Sequence, residues 1–413
     1  PGYLPSMSFM IDQSFSRTCR GALLLLTSLL FLSPAWAEDE PDSELEKLEM
    51  PEYEQSLRPG ADILDLDDMD ITGNPLKDLF EKWPADLVIA PVPGYSPQLG
   101  WNLALVSAYF LEPDEEVDHA ASVLGGFAYF SENGSRAFGV GANLHLLNDD
   151  LRVQAGGLYA DVRYDYYLNN VLGSGRDLVV PIEQSGPGYF VSASWRVWKK
   201  LYVGIGYLGG ELETGLRGEA PILPPELIPD LTLGLGAVTI PLRIDSRDDE
   251  IFPRNGWKVD ANTILYRESV GGDFDAETYK VALNYYLPMR DQDVLASRLI
   301  IRGTGGDAPF FLLSTLGGST DLRGYPSGRY RDRYMYAVQS EYRWHFNDSW
   351  IFTGFAGFGE VANEFSGFGE DLLPAAGVGV RFVLSKKHKV SLSSDVAVGK
   401  DGWEFYFGVG EAF

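Results

Sequence analysis

Charged and aromatic side chains alternate along residues 334–346. Glu341 and Arg343 fall on one parity, while Tyr342 and Trp344 fall on the other. Because successive side chains of a β-strand point to opposite faces, this pattern predicts a strand with one charged and one aromatic face. Ionisable groups are costly in a dry core unless they are paired. The expected chemistry is therefore ion pairing inside a polar lumen, with the aromatic face against lipid.

Residue types that carry out a chemical step do not occur in the required patterns. The sequence contains no G-x-S-x-G nucleophile elbow. Its Gly-x-Gly pairs lie inside alternating stretches, where they give room for chain packing and do not form phosphate-binding loops. The four histidines show no metal-ligand spacing: His119, His145, His345 and His388. We therefore expect no enzyme activity, no metal and no cofactor.

The first 37 residues have the layout of a secretory signal. Two arginines precede an apolar run over residues 21–32, and small residues flank a cleavage site after Ala37. The run has about a dozen residues, too few to span a membrane; a buried helical hairpin is the alternative. Cys19, the single cysteine, would be removed with the signal, which excludes disulfides and thiolate sites from the remaining chain.

Residues 38–95 are predicted to form an acidic periplasmic lead. Fourteen Asp and Glu residues between Glu38 and Asp70 face only Lys47 and Arg58, a balance typical of a largely disordered segment. A regulatory plug or a partner-binding tail is the alternative. Capping and apolar spacing predict one short helix near residues 75–83. The net charge of −26 argues against a nucleic-acid partner.

Residues 96–413 contain fifteen alternating stretches of membrane-spanning length. Aromatic residues lie near the ends of these stretches, as at a membrane interface, which favours a barrel over a secreted sandwich. Single-chain bacterial barrels usually have an even number of strands. Residues 87–95 are the candidate for the missing strand, and their two prolines would suit only a seam. We predict an all-β fold, a transmembrane antiparallel β-barrel of sixteen strands, with fourteen as the alternative.

The C-terminal half also carries ordered motifs. They resemble those of the bacterial surface antigen domain, the barrel of the BamA/TamA outer-membrane assembly factors and the two-partner secretion transporters. The resemblance is best over residues 231–413. In sixteen-stranded members of this family five strands follow the arginine loop, as here, so the missing strand must precede residue 245. The motifs are a DxR…FPxxG turn at Asp245, Arg247, Phe252, Pro253 and Gly256, a loop at Leu322, Arg323, Gly324 and Tyr325, the strand residues Glu341, Tyr342 and Arg343, and a terminal Phe413.

The resemblance implies that the arginine loop folds back into the lumen, where its arginine meets carboxylates of the wall. In this sequence Glu341 and Asp395 have lumen parity and are the candidate partners of Arg323. The further candidate lumen residues are Arg343 and Arg381. The alternative is an exposed extracellular turn with Arg323 in water. A glycine, Gly357, stands where the family often has an acidic residue.

Two further expectations concern the end of the chain. By the resemblance, Phe413 is the terminal residue of the assembly signal of outer-membrane proteins. By parity, it shares one face of the last strand with Trp403, Phe405 and Phe407. Glu411 departs from the family pattern, which prefers an apolar residue at that place.

Together, these features predict a protein of the outer membrane of a Gram-negative bacterium. We expect it to act in protein translocation or outer-membrane assembly without chemical catalysis, as a short family member without POTRA domains. A passive pore or a structural barrel is the alternative. The expected partners are outer-membrane lipid, the assembly machinery for its own insertion, and a periplasmic partner or polypeptide substrate.

Overall fold

A computed structural model describes residues 87–111, 122–168, 178–217, 231–249, 252–290, 292–385 and 390–413. The predicted signal, the acidic lead up to residue 86 and the helix near residues 75–83 lie outside these described residues. Within them, the only helical turns are short 3-10 segments at Glu268–Val270 and Phe365–Gly367. No helix in the described part of the chain is long and apolar enough to cross a membrane.

The described strands form a closed antiparallel barrel of sixteen, as predicted. Each barrel strand pairs with its neighbours in chain order, and β12 and β13 form a separate small hairpin inside the connection between β11 and β14. Five barrel strands follow that connection, as the motif order predicts. The strands are β1 Leu87–Ser96, β2 Gly100–Leu111, β3 Ser122–Ser131, β4 Arg136–Leu146, β5 Leu151–Leu168, β6 Leu178–Trp198, β7 Leu201–Leu216, β8 Leu231–Asp245, β9 Gly256–Tyr266, β10 Ala276–Pro288, β11 Val294–Gly306, β12 Ser314–Leu316, β13 Tyr330–Asp332, β14 Tyr334–His345, β15 Trp350–Ala362, β16 Leu373–Ser385, β17 Val390–Gly399 and β18 Gly402–Val409.

The missing strand is the proline-containing segment, now β1. It pairs with β2 over its whole length and meets β18 at the seam, the position that its two prolines predict. The barrel therefore begins at Leu87, so the predicted boundary between the lead and the barrel at residue 96 is wrong. The reason is that the prolines interrupt the alternation by which the other strands are recognised.

Side-chain burial follows the alternation. On β14 the residues of one parity, including Glu341 and Arg343, are buried in the lumen, while Trp344 points outward. Large apolar side chains cover the outer face around the barrel, with Val140 72% and Val378 65% exposed. Such a surface would aggregate in water, and it matches the apolar band that a barrel presents to lipid.

The four strands β5 to β8 are longer than a bilayer requires. They contain 18, 21, 16 and 15 residues, against about nine to eleven for a membrane-spanning strand. The long connection at residues 307–333, here called the lumen loop, packs against the far end of β5, where Tyr166 meets Phe310. We call this the loop end of the barrel. The opposite end, with the turns at residues 289–293 and 346–349 and the last four residues, is the tail end.

Candidate functional site

The lumen loop runs inside the barrel. Leu322, Arg323 and Tyr325 are each fully buried, and Gly324 lies so close to the wall that an added Cβ would be 3.0 Å from the backbone of Val398. Gly324 has a φ of +109°, a conformation that favours glycine. The four motif residues thus lie within the lumen, as the resemblance implies, and Arg323 is not in water.

Arg323 contacts both of the carboxylates that the sequence nominates. Its Nη2 lies 2.6 Å from Oε2 of Glu341, and its Nη1 donates to Oδ2 of Asp395 at 2.8 Å. The ring of Phe355 lies 3.4 Å from the guanidinium carbon and covers its face. The side chain of Gln339 accepts from the Arg323 backbone N–H at 3.2 Å. An arginine held on its edge and on its face in this way has no room to change rotamer without moving the wall.

The same carboxylates bind two further arginines of the wall. Arg343 donates to Glu341 at 2.8 Å, and Arg381 donates to Asp395 at 2.5 Å while lying 3.5 Å from Glu341. Parity alone places both arginines in the lumen but assigns them no partners. Each carboxylate therefore contacts more than one arginine, and all of these side chains are buried.

Glu411 completes this group. Its carboxylate lies 3.0 Å from Nε of Arg381 and 3.6 Å from Nε of Arg343, and its side chain is 5% exposed. Because buried charges must be paired, three arginines require three carboxylates. Glu411, the residue that departs from the family pattern, supplies the third. We call these six residues the lumen ion cluster: Arg323, Glu341, Arg343, Arg381, Asp395 and Glu411.

The last residues do not continue the closing strand. β18 ends at Val409, and Gly410 turns the chain inward with a φ of +83°. Phe413 packs in the lumen against Tyr286 and Val294, and its carbonyl accepts from Arg343 at 2.8 Å. The expectation that Phe413 shares a face with Trp403, Phe405 and Phe407 is therefore wrong. Its role in assembly remains a prediction.

A second anchor of the lumen loop is not predicted from the sequence. Arg302 on β11 forms a bidentate pair with Asp321, at 2.7 and 3.1 Å. Burial alone would raise the pKa of Asp321, but the charge and hydrogen bonds of Arg302 outweigh it and hold that pKa below its usual value. The available signal is weak, because an acidic residue directly before Leu322 can pair with any inward arginine.

Gly357 explains a departure from the family pattern. A Cβ at this position would lie 2.3 Å from the carbonyl oxygen of Val338 and 3.0 Å from a methyl carbon of Leu322. The backbone of β14, together with Leu322 of the lumen loop, therefore occupies the space that an acidic side chain at residue 357 would need. The partner carboxylates of Arg323 come from β14 and β17 instead.

The described residues of the DxR…FPxxG motif lie at the tail end, in the connection between β8 and β9. Arg247 makes a bidentate contact with Asp245 at 2.9 and 2.6 Å, and its own backbone N–H donates to the same carboxylate at 3.2 Å. Pro253 is buried and Phe252 half-buried. Gly256 has a φ of +107° and approaches the backbone of residue 246 too closely for any side chain. These contacts hold the turn together and offer no site for a ligand.

Reactive groups do not converge elsewhere in the described residues. His145 hydrogen-bonds Asp149 at 2.7 Å, and the backbone N–H of His345 donates to Asp293 at 2.9 Å. His119 and His388 lie outside the described residues. No group of His, Cys, Asp or Glu in the described part of the chain could hold a metal ion.

Comparisons with known proteins point to the same architecture. BamA of Haemophilus ducreyi lacking POTRA domains 1–3 matches with a TM-score of 0.54 and 14% identity, over 78% of this chain and 70% of that one. CdiB of Acinetobacter baumannii matches with a TM-score of 0.54 and 14% identity, over 78% of this chain and 58% of its own. CdiB of Escherichia coli gives 0.56 and 11%, over 79% and 63%. The chain thus spans less than two thirds of the CdiB chains, and at these identities the likeness shows the fold.

The sequence itself matches a family model over its C-terminal part. No curated protein matches it significantly. The model of the Omp85 superfamily domain, however, matches residues 236–413, the range that contains the arginine loop and all of the lumen ion cluster. Residues 236–413 of this chain therefore match the Omp85 superfamily domain, and they form part of the closed sixteen-stranded antiparallel barrel.

Proposed function

We propose that this barrel moves a polypeptide across or into the outer membrane of a Gram-negative bacterium, without a chemical step, and that the lumen loop is its displaceable plug. The observation that supports this is the lumen ion cluster. Apolar packing of Leu322 and Tyr325 would be enough for a loop that merely filled space. This loop is held in addition by an arginine whose two partners are also bound by other arginines.

The cluster gives the plug two defined states. With Arg323 in place, its charge and those of Arg343 and Arg381 are balanced by Glu341, Asp395 and Glu411. If a passing chain displaces the loop, Glu341 and Asp395 each keep a wall arginine, so neither carboxylate is left alone in the lumen. The wall thus tolerates an open state while favouring the closed one.

The domain arrangement is proposed from the sequence pattern. Residues 1–37 are a signal peptide that directs export, and the acidic residues from 38 to the start of β1 form a periplasmic lead. That lead, or a separate periplasmic protein, delivers the polypeptide to the tail end of the barrel. Outer-membrane lipid surrounds the barrel, and the cellular assembly machinery inserts it.

The test is single-channel recording in planar bilayers. Arg323→Ala should open a conductance that the unchanged protein shows rarely, and Arg323→Lys should resemble the Ala variant because an ammonium cannot contact two carboxylates in one plane. The matched control is Arg329→Ala on the same loop, since Arg329 lies outside the lumen ion cluster and its ion pair with Asp401, at 3.4 Å, is partly exposed.

The polypeptide step is then tested in the open variant. A urea-unfolded outer-membrane protein, added on the tail side, should block the Arg323→Ala current in discrete events whose frequency rises with concentration. Polyethylene glycol of similar mass should give no such dependence on the side of addition. An open pore that passes ions and sugars but never shows polypeptide blocks would favour the passive-pore alternative.

A further inference from the structure

The barrel closes at a weak seam. β1 and β2 pair along all ten residues of β1, whereas β1 and β18 pair only at Tyr95 and Phe407. Around this point the outer face carries aromatic contacts, with the rings of Tyr95 and Phe405 5.7 Å apart. Below it, towards the tail end, residues 87–92 of β1 extend past the end of β18.

The prolines of β1 determine which way its backbone groups point. In an antiparallel strand the N–H and C=O of alternate residues point to the same side. Pro91 and Pro93 have no N–H, yet pairing with Leu105 and Leu103 of β2 continues without a break. The backbone groups of odd-numbered residues therefore point away from β2, towards the seam, and those of even-numbered residues bind β2.

The seam edge of β1 consequently lacks donors. Between Ile89 and Tyr95 it presents carbonyl oxygens at residues 91 and 93 and not one N–H. An antiparallel strand laid on this edge would receive no hydrogen bond at either proline, so its own carbonyls would face the gap unpaired. In hydrocarbon each unpaired carbonyl costs free energy that water cannot compensate.

The end of this chain also avoids that edge. Extending the register from Tyr95 and Phe407 would place Glu411 opposite Pro91 and Phe413 opposite Ile89. Instead Gly410 turns the chain inward, and Glu411 binds Arg381 and Arg343. The segment that would continue β18 along this edge is thus held elsewhere by ion pairs.

We propose that Pro91 and Pro93 prevent β1 from templating a client β-strand at the seam, so that a polypeptide handled by this barrel takes the lumen. That the polypeptide takes the lumen rests on the proposed function. That the two prolines block strand addition at the β1 edge does not. The two prolines are specificity-determining residues: they reject partners that bind by strand addition and leave the plugged lumen as the route.

The edge is tested by disulfide capture in lipid nanodiscs. The full chain carries Ile89→Cys, with Cys19→Ser to remove the native thiol, and the probe is a synthetic peptide of residues 402–409 bearing one cysteine. Pro91→Val with Pro93→Val restores two donors and should raise capture about tenfold or more over the chain with both prolines, as expected for two regained hydrogen bonds. Each single variant should fall between the two.

Two controls separate the edge from general effects. A cysteine at Val281, which faces outward on β10 and is paired on both sides, reports non-specific capture. Heat-modifiable gel mobility reports that each variant is folded. Equal capture with and without the prolines, or no capture above the Val281 level in the double valine variant, would overturn the proposal about the edge.

The route is tested in the channel assay. Adding the two valine substitutions to Arg323→Ala should leave polypeptide blocks of the current unchanged, because the lumen is untouched. Loss of those blocks would assign the route to the seam and overturn the claim that the polypeptide takes the lumen. If the Arg323→Ala pore shows no blocks at all, the proposed function fails, and the capture result still decides the role of the prolines.

Discussion

The two halves of the lumen are held by different forces. Strands β2 to β8 contribute an apolar and aromatic lining, in which Val106, Tyr164 and Leu208 are buried together. Strands β10 to β18 surround the lumen loop with the lumen ion cluster, in which Arg323 and Arg381 are fully buried. Apolar packing is non-directional and tolerates changes that conserve volume, whereas buried ion pairs require each partner in place. We therefore expect substitutions to be far more costly in the second half.

The largest effect is expected at Glu341, the carboxylate with the most arginine neighbours. Glu341→Gln keeps the shape of the side chain but leaves Arg323 and Arg343 without their shared anion. Three buried arginines would then face only two carboxylates, Asp395 and Glu411, and this imbalance should cost about 3–5 kcal/mol. The measurement is trypsin cleavage of the lumen loop after Arg329, which should become fast while the barrel keeps its folded gel mobility.

The matched control for that variant is Glu183→Gln. Glu183 pairs with Arg163 at 3.2 Å, but both side chains are about a third exposed, so the pair should be worth about 0–1 kcal/mol. If Glu341→Gln protects the loop from trypsin as well as Glu183→Gln does, the lumen ion cluster does not retain the loop.

A smaller effect is expected at the second anchor. Asp321→Asn removes the charge that Arg302 binds and should cost about 1.5–3 kcal/mol, the value of a hydrogen bond to a charged group. Because the folded-state pKa of Asp321 is lowered, its contribution is present above the unfolded value of about 3.9 and is lost as the pH falls through the folded-state pKa.

The pH dependence supplies the check. Loop protection is measured as resistance to proteolysis, with a broad-range protease at neutral pH and an acid-tolerant protease such as pepsin at low pH. At about pH 7 this protection should differ between the unchanged chain and Asp321→Asn. The two should converge as the pH falls well below the unfolded value of about 3.9. A difference that persists unchanged to about pH 2 would show that the Asp321→Asn substitution alters packing and that the ion pair is not the cause.

The sequence predicts the barrel more completely than the site, and the reasons are physical. Alternation is a local signal, so all fifteen alternating stretches are strands, and lumen parity correctly places Glu341 and Asp395. Parity does not say which inward arginine meets which inward acid across the barrel. The pair of Arg302 and Asp321 is missed for that reason. The inward turn at Gly410 is missed because the residues after it continue the alternating pattern.

The smallest effect is expected in the apolar half, at Tyr164. Its hydroxyl donates to Oε1 of Gln184 at 2.6 Å, and Gln184 in turn donates to Thr214 at 2.8 Å. Tyr164→Phe removes one buried hydrogen bond while the ring still fills its place, so unfolding should become easier by about 1 kcal/mol. The rate of trypsin cleavage of the lumen loop should not change, because the hydrogen bond between Tyr164 and Gln184 involves no member of the lumen ion cluster.

The measurement is the urea concentration at which half of the folded gel form is lost, together with the rate of trypsin cleavage. The apolar half already contacts the loop where Tyr166 meets Phe310. A faster cleavage rate in Tyr164→Phe would mean that the Tyr164 hydrogen bond supports that contact, and the contrast between the two halves would then be one of degree.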